Sequence, residues 1–226
     1  MNKYIFSIET TTNICSVSLF NNDQIISLKE DNNRKHSSLL GYFVDDIFQS
    51  TSFNVKDLDS IAISIGPGSY TGLRIGVSAA KGICIALNIP LIAVDTMHNL
   101  ARKIECAEGY IITAMDARRD EIYYSIFQSN NCKIPKTIKK TDCMILNSTS
   151  FCDYLSSSKI NFVGNCNEKI KSFINHENII FSDFMLPSAN EMGILAFIKY
   201  NKKQFENISD FQPKYLKDFG GRKINT

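Results

Sequence analysis

Ser60-Ile-Ala-Ile-Ser-Ile65, Gly66-Pro-Gly-Ser-Tyr-Thr-Gly72 and the stretch from Leu73 to Leu87 follow one another without a break. They are a β-branched run, a glycine-rich string and a helical segment, and Ile89 to Val94 is again strand-like. A strand, loop, helix and second strand in that order form a β-loop-α-β unit. Its two strands run parallel, because the helix carries the chain back to the starting end of the sheet. The chain is therefore read as α/β.

Upstream, Tyr4 to Ile8, Ile14 to Phe20 and Ile25 to Leu28 are strand-like and are separated by Thr-Thr-Thr-Asn and Asn-Asn-Asp turn chemistry. That pattern predicts an antiparallel meander. From His36 to Phe48, Leu39, Leu40, Phe43, Val44, Ile47 and Phe48 recur at spacings of three and four, with Asp45 and Asp46 opposite. This is an amphipathic helix. Downstream of the unit, Asp95 or Thr96 is placed to cap a helix running through Ile104 and ending near Gly109.

Tyr110-Ile-Ile-Thr-Ala-Met-Asp-Ala-Arg-Arg-Asp-Glu-Ile-Tyr-Tyr-Ser-Ile-Phe127 repeats the opening plan of strand, polar turn and alternating strand. In each half the first strand ends in a carboxylate, Glu9 and Asp116, which suggests a duplicated lobe. Residues 129–160 are polar, rich in lysine and serine and weakly periodic, so loops and short elements are expected there. Ile160 to Gly164 is strand-like. Pro187-Ser-Ala-Asn-Glu191 has the form of a capping box, Ser188 reaching forward and Glu191 back, for an apolar helix to Tyr200. The expected division is a first lobe over 1–100 with the helix at 188–203 packing back on it, a smaller second lobe over 101–187, and a tail over 204–226.

Composition narrows the function classes. A 44% hydrophobic and 21% charged chain of 226 residues is an ordinary globular protein. Twenty-five basic against 23 acidic residues give a net charge of +2, too balanced for nucleic-acid binding by the chain alone, so any RNA contact is expected to be shared. The opening MNKYIFSIET lacks the apolar region of a signal peptide, and no run approaches a membrane span. The seven cysteines are odd in number, scattered and free of any C-x-x-C pair. They read as small core residues in a reducing cytoplasm, not as disulfides or a zinc ribbon.

Two features are candidates for chemistry. A strand entering glycines and then a helix aims backbone N–H groups at one spot, which favours anions. The string Gly66, Pro67, Gly68, Ser69, Tyr70, Thr71 lacks the G-K-[ST] of a phosphate-binding P-loop and the G-x-G-x-x-G spacing, and Pro67 removes a donor. Its other reading is a tight turn packed on its own helix. In the helix that follows, Gly72, Gly76 and Ala80 lie four apart with Ala79 and Gly82 nearby. Such a stripe costs roughly 1 kcal/mol of helix propensity per glycine, a cost that close approach of another backbone offsets, either of the protein's own sheet or of a partner helix.

The second feature is the pair of turn acids. Glu9-Thr10 and Asp116-Ala-Arg118-Arg119-Asp-Glu121 stand where a two-lobed nucleotide enzyme could hold a metal-bound phosphate, or else are solvated turn residues. Among three histidines, His36, His98 and His176, no pair has metal-ligand spacing; the i+4 position from His36 is Leu40. H-E-x-x-H and G-x-S-x-G are both absent, which argues against a metalloprotease or serine hydrolase.

Gly66-Pro-Gly-Ser-Tyr-Thr-Gly-Leu-Arg74-Ile-Gly76 closely resembles the signature of the TsaB (YeaZ) family, the bacterial paralogue of the TsaD enzyme. The resemblance extends to Ile8-Glu-Thr-Thr-Thr, His36-Ser, Val94-Asp-Thr, Met115-Asp-Ala-Arg-Arg-Asp-Glu-Ile-Tyr and Pro213-Lys-Tyr-Leu. It implies an actin/Hsp70-like pair of ribonuclease-H-like lobes. It also implies a part in making N6-threonylcarbamoyladenosine in tRNAs that read codons beginning with A, by pairing with and activating TsaD. The resemblance further implies no catalytic residues and no metal or cofactor in this chain, ATP and the metal belonging to partner subunits.

Partners implied by the resemblance are TsaD, the ATPase TsaE, and tRNA only within the complex, with a homodimer when TsaD is absent. Carried onto this sequence, the TsaD-facing surface would draw on Leu39, Leu40, Phe43, Val44, Ile47, Gly72, Leu73, Gly76, Ala79 and Ala80. Glu9, Thr10, Asp116, Arg118, Arg119 and Glu121 would be a vestigial nucleotide site, Glu9 replacing the aspartate of many relatives. The competing reading is a free-standing ATP-dependent phosphotransferase of the same superfamily; a glycoprotease has no support in these residues.

Overall fold

The computed structural model describes residues 2–33, 36–104, 108–129, 133–183 and 185–217. The chain divides into two units. The first is Met1–Asn99 with Pro187–Lys214; the second is Leu100–Leu186 with the described residues from Tyr215 onward.

The first unit is built on a five-stranded sheet of order β3-β2-β1-β4-β5, with β1 Tyr4–Glu9, β2 Cys15–Asn21, β3 Gln24–Asp31, β4 Ser60–Ser64 and β5 Leu91–Val94. The first three strands are the expected antiparallel meander; β4 pairs parallel to β1, and β5 parallel to β4. Alternation along the strands gives the sheet two unlike faces. Phe6, Ile8, Val17, Leu19, Ile61 and Ile63 form one core with α1 (His36–Ser50) and α2 (Tyr70–Leu87), through Leu40, Phe43, Ile47, Val77, Ala80 and Cys84. Each such aliphatic or aromatic side chain, fully buried, stabilises the lobe by roughly 1.5–3 kcal/mol.

The opposite face is paved with Ser7, Ser16, Ser18, Ser60 and Ser64, all buried. Small side chains let a 3-10 turn at Ala189–Glu191 and a later helix, Met192–Asn201, approach closely. Ser18 donates to the Ala189 carbonyl at 2.8 Å, and the Ala189 N–H donates to Ser16 Oγ at 3.1 Å. A Cβ on Gly193 would collide with the Phe20 ring.

The second unit repeats the plan. Its strands are β6 Tyr110–Asp116, β7 Glu121–Gln128, β8 Lys136–Ile145, β9 Ile160–Gly164 and β10 Ile179–Phe181, in the order β8-β7-β6-β9-β10. Here β6, β7 and β8 are antiparallel neighbours, while β9 runs parallel to β6 and β10 to β9. Order and direction match the first sheet strand for strand. The fold is thus a duplicated ribonuclease-H-like lobe, the actin-like architecture. The second core gathers Ile112, Ile122, Tyr124, Phe151, Phe162 and Ile170.

Four sequence expectations are corrected. First, residues 136–145 form a ten-residue strand, not a loop. As an edge strand it buries little, so its exposed lysines hide the alternation that marks a strand. Second, the helix after β5, α3, covers Thr96–Ala101 and stops short of Ile104. Third, Ser188 does reach forward, to the Asn190 N–H at 3.1 Å, but it caps a 3-10 turn, and the Glu191 carboxylate takes the Asn190 side-chain amide at 3.0 Å. Fourth, the tail is not separate: Glu206 pairs with Leu91, Lys81 Nζ donates to the Ser209 and Phe211 carbonyls, and the Lys214 N–H donates 2.8 Å to the Ile65 carbonyl. That strap belongs to the first unit. The helices α4 (Cys152–Leu155) and α5 (Asn167–Phe173) and the strand β10 had no sequence signal; with them numbered, Met192–Asn201 is α6.

Candidate functional site

The chemistry-bearing residues of the first unit meet where β1 ends. Glu9 closes the strand and is fully buried. One carboxylate oxygen accepts from the Thr11 N–H at 2.8 Å and from the Thr11 hydroxyl; the other accepts from the Ser64 hydroxyl and from the Asn99 amide at 3.3 Å. Burial pushes the Glu9 carboxyl above the ordinary carboxylate range, and these four donors work against that rise. Asn99 also donates 2.9 Å to the Ser188 carbonyl. Glu9 therefore fastens the ends of β1, β4 and α3 to the segment that leads into α6.

The glycine string is shaped by the turn after Glu9. The Ser69 N–H donates 2.6 Å to the Thr11 carbonyl, the Gly72 N–H donates 3.2 Å to Ser69 Oγ, and the Gly66 N–H donates 2.9 Å to Thr96 Oγ1. Thr10 Oγ1 donates 2.8 Å to the Gly72 carbonyl. A Cβ on Gly68, Gly72 or Gly76 would fall within 3.0 Å of Thr11 or Thr10 atoms. The string is a tight turn packed against the β1 turn, and the glycine stripe approaches that same turn. Gly66, buried at φ +108°, needs a glycine's freedom and sits beneath the Lys214 carbonyl. Tyr70 and Arg74 stack, with the guanidinium 4.0 Å from the ring centroid. Pro67 is buried and Thr71 exposed.

The acids of the second unit are held differently. Asp116 is exposed, accepts from the Arg118 N–H at 3.1 Å and is ion-paired with Lys169. Glu121 is ion-paired with Lys217, whose amine also donates 3.1 Å to the Ala117 carbonyl. A metal-bound phosphate fits these groups poorly, since the lone pairs of Glu9 are committed and Asp116 and Glu121 each hold a lysine. Among the described residues no three His, Cys, Asp or Glu side chains converge as a metal group. His36 Nε2 lies 3.1 Å from the Ile14 carbonyl oxygen.

The expected docking face is corrected by burial. Leu40, Phe43, Ile47, Gly72, Leu73, Gly76 and Ala80 are buried in the first lobe, and Leu39, Val44 and Ala79 are half-buried against its core. The apolar stripe of each helix faces its own sheet, as amphipathicity requires. What α1 and α2 turn outward is a different set. Gly41 and Gly82 are exposed, and among the described residues a Cβ on either would meet nothing within 4 Å beyond its own helix. Beside them Tyr42 is 62% and Ile85 67% exposed. The sequence signal for these positions was a mid-helix glycine outside the apolar stripe.

Comparison with known proteins adds three findings. Residues 25–221 match a family model described as TsaD, tRNA N6-adenosine threonylcarbamoyltransferase. The chain is 32% identical over 136 residues to "tRNA threonylcarbamoyladenosine biosynthesis protein TsaB" of Buchnera aphidicola, covering 59% of this chain and 62% of that one. It is 32% identical over 126 residues to the protein of the same name from Escherichia coli, covering 55% and 54%. The aligned stretch thus spans less than two thirds of these relatives. Among solved structures, an uncharacterized Pseudomonas aeruginosa protein "with similarity to peptidase YEAZ" superposes with a TM-score of 0.85 at 21% identity, over 95% of this chain and 100% of that one, a likeness of fold. Among the described residues no helix is long and apolar enough to cross a membrane.

Proposed function

The chain belongs to the TsaD family and, within it, to the TsaB proteins, and from that premise we propose that it is an accessory subunit of tRNA threonylcarbamoyladenosine synthesis. In this reading it pairs with a TsaD-type transferase and completes it, while catalysis, ATP and the metal belong to partner subunits. TsaE and tRNA join only in the assembled complex, and the chain forms a homodimer when TsaD is absent.

The observation that carries the reading is the outward face of α1 and α2. Two mid-helix glycines with open space above them each cost roughly 1 kcal/mol of helix propensity, and among the described residues no close packing above them offsets it. Exposed Tyr42 and Ile85 flank them. Small residues that admit a backbone, next to large apolar ones that fill a groove, suit close helix-on-helix packing. The closed hydrogen bonding of Glu9 supports the accessory role, because it leaves the first-lobe acid no capacity for a metal.

The test is reconstitution. The chain and the TsaD protein of the same organism should co-elute. The chain alone should form no modified tRNA, whereas the two with TsaE, threonylcarbamoyl-adenylate and tRNA should. Equal modification without this chain would overturn the reading.

A further inference from the structure

The turn joining β6 to β7 presents Arg118 and Arg119 in succession, both exposed and both left-handed, at φ 71° and 51°. Asparagine or glycine would hold that backbone at less cost, since a Cβ crowds the carbonyl there. The backbone itself is well bonded, with Glu121 N–H donating to the Arg118 carbonyl and Ala117 N–H to the Glu121 carbonyl, each at 3.2 Å. A tight turn accounts for the geometry but not for arginine at both positions.

Two of the three acids around the turn are ion-paired to lysines and not to the arginines. Asp116 is paired with Lys169 and Glu121 with Lys217. Asp120, the remaining acid of the turn, is exposed and its carboxylate forms no ion pair among the described residues, so that with Lys169 and Lys217 counted the turn carries a local charge of +1. Neither guanidinium has an ion pair or hydrogen bond among the described residues. The turn also lies just past the C-terminal end of β6, which has antiparallel β7 on one side and parallel β9 on the other. In open α/β sheets that reversal point is where ligands gather.

We propose that Arg118 and Arg119 are a phosphodiester-binding pair that contacts RNA. A guanidinium fork matches the oxygens of a phosphate in a bidentate way, and it keeps its charge at any physiological pH. Two adjacent forks on an exposed turn suit an extended backbone better than an enclosed small anion. The chain's net charge of +2 makes this a local contribution to a shared RNA site. The choice of RNA as the source of the phosphate rests on the tRNA-modification reading; the arginine pair does not.

The test uses the full chain alone at low salt, where a contact too weak to hold tRNA outside the assembled complex is still read, with its arginine Nε–Hε NMR signals followed during titration with an unmodified tRNA transcript. Signals of Arg118 and Arg119 should move and should return when salt is added. An equal concentration of inorganic phosphate should leave them in place. The double variant R118G/R119G should melt no lower than the wild type, because the turn is relieved. Its RNA affinity should fall several-fold, and the slope of log affinity against log salt should shrink by about 2, near 0.9 for each phosphate that is no longer neutralised. Arginine signals indifferent to tRNA, or a variant with an unchanged slope, would overturn the proposal. So would a response to inorganic phosphate alone, or to the TsaD-type protein but not to tRNA. Failure to co-elute with that protein would sink the accessory-subunit reading and leave the arginine measurement standing.

Discussion

Thr10 and Gly72 interlock: the threonine hydroxyl donates 2.8 Å to the glycine carbonyl, and the threonine's own carbonyl oxygen occupies the space that a Cβ on the glycine would need. Replacing Gly72 with alanine therefore forces backbone against backbone. Gly72→Ala should destabilise the chain by about 1–3 kcal/mol, the usual range for overpacking, as read from urea denaturation. A loss under about 0.5 kcal/mol would mean that the turn shifts freely.

Gly82→Ala reverses the sign. With open space above it, the added methyl should stabilise the isolated chain by up to about 1 kcal/mol through helix propensity. Gly82→Arg should likewise leave the chain folded yet prevent co-elution with the TsaD-type partner in size-exclusion chromatography. A heterodimer that persists with arginine at 82 would place the contact elsewhere.

Glu9 should leave a signature in pH. Its folded carboxyl titrates above the unfolded value of about 4.3, so burial penalises the charged form. That penalty is absent below the unfolded value, grows as pH rises through the gap between unfolded and folded values, and is constant beyond it. Glu9→Gln loses hydrogen bonds at every pH but escapes the penalty. The stability advantage of the wild type over the variant should thus be greatest near pH 4 and shrink toward pH 7 in denaturation series. An advantage that grows with pH would show that the four donors outweigh burial.

The cysteines should divide sharply in alkylation. Burial pushes the Cys15 thiol up to about 11 and those of Cys84 and Cys166 up to about 12. The thiolate is the reacting species, so these three should resist iodoacetamide at pH 8 in the native chain, while exposed Cys152 is modified. Peptide mass spectrometry reads the sites. Equal labelling of Cys84 and Cys152 would indicate an open first lobe.

The lobe plan was legible because hydrophobic period and turn chemistry agreed over β1 to β5 and again over β6 and β7. Strand β8 was not, because an edge strand carrying Lys136, Lys139 and Lys140 lacks the buried alternate residues that reveal a strand. Most of the expected docking residues are buried for a related reason. Periodicity finds the buried side of a helix, and Leu40, Phe43 and Ile47 were on it for the sake of their own sheet. An outward residue such as Gly82 leaves a fainter mark, a glycine in mid-helix, and the open space above it is seen only in the fold. Glu9 was found, but Ser64, Asn99 and Ser188 were not, since their convergence comes from hydrogen-bonded pairs 55, 90 and 89 residues apart along the chain.

Because α6 and the strap ending at Lys214 belong to the lobe that holds β1, that lobe starts to emerge from the ribosome before the other yet stays open until residues 187–214 have been made. Its serine-paved face waits, uncovered, through synthesis of the second lobe's sheet. A chain stalled before residue 187 would therefore carry an open sheet face in the first lobe and a second lobe in which Glu121 still lacks its lysine partner, Lys217.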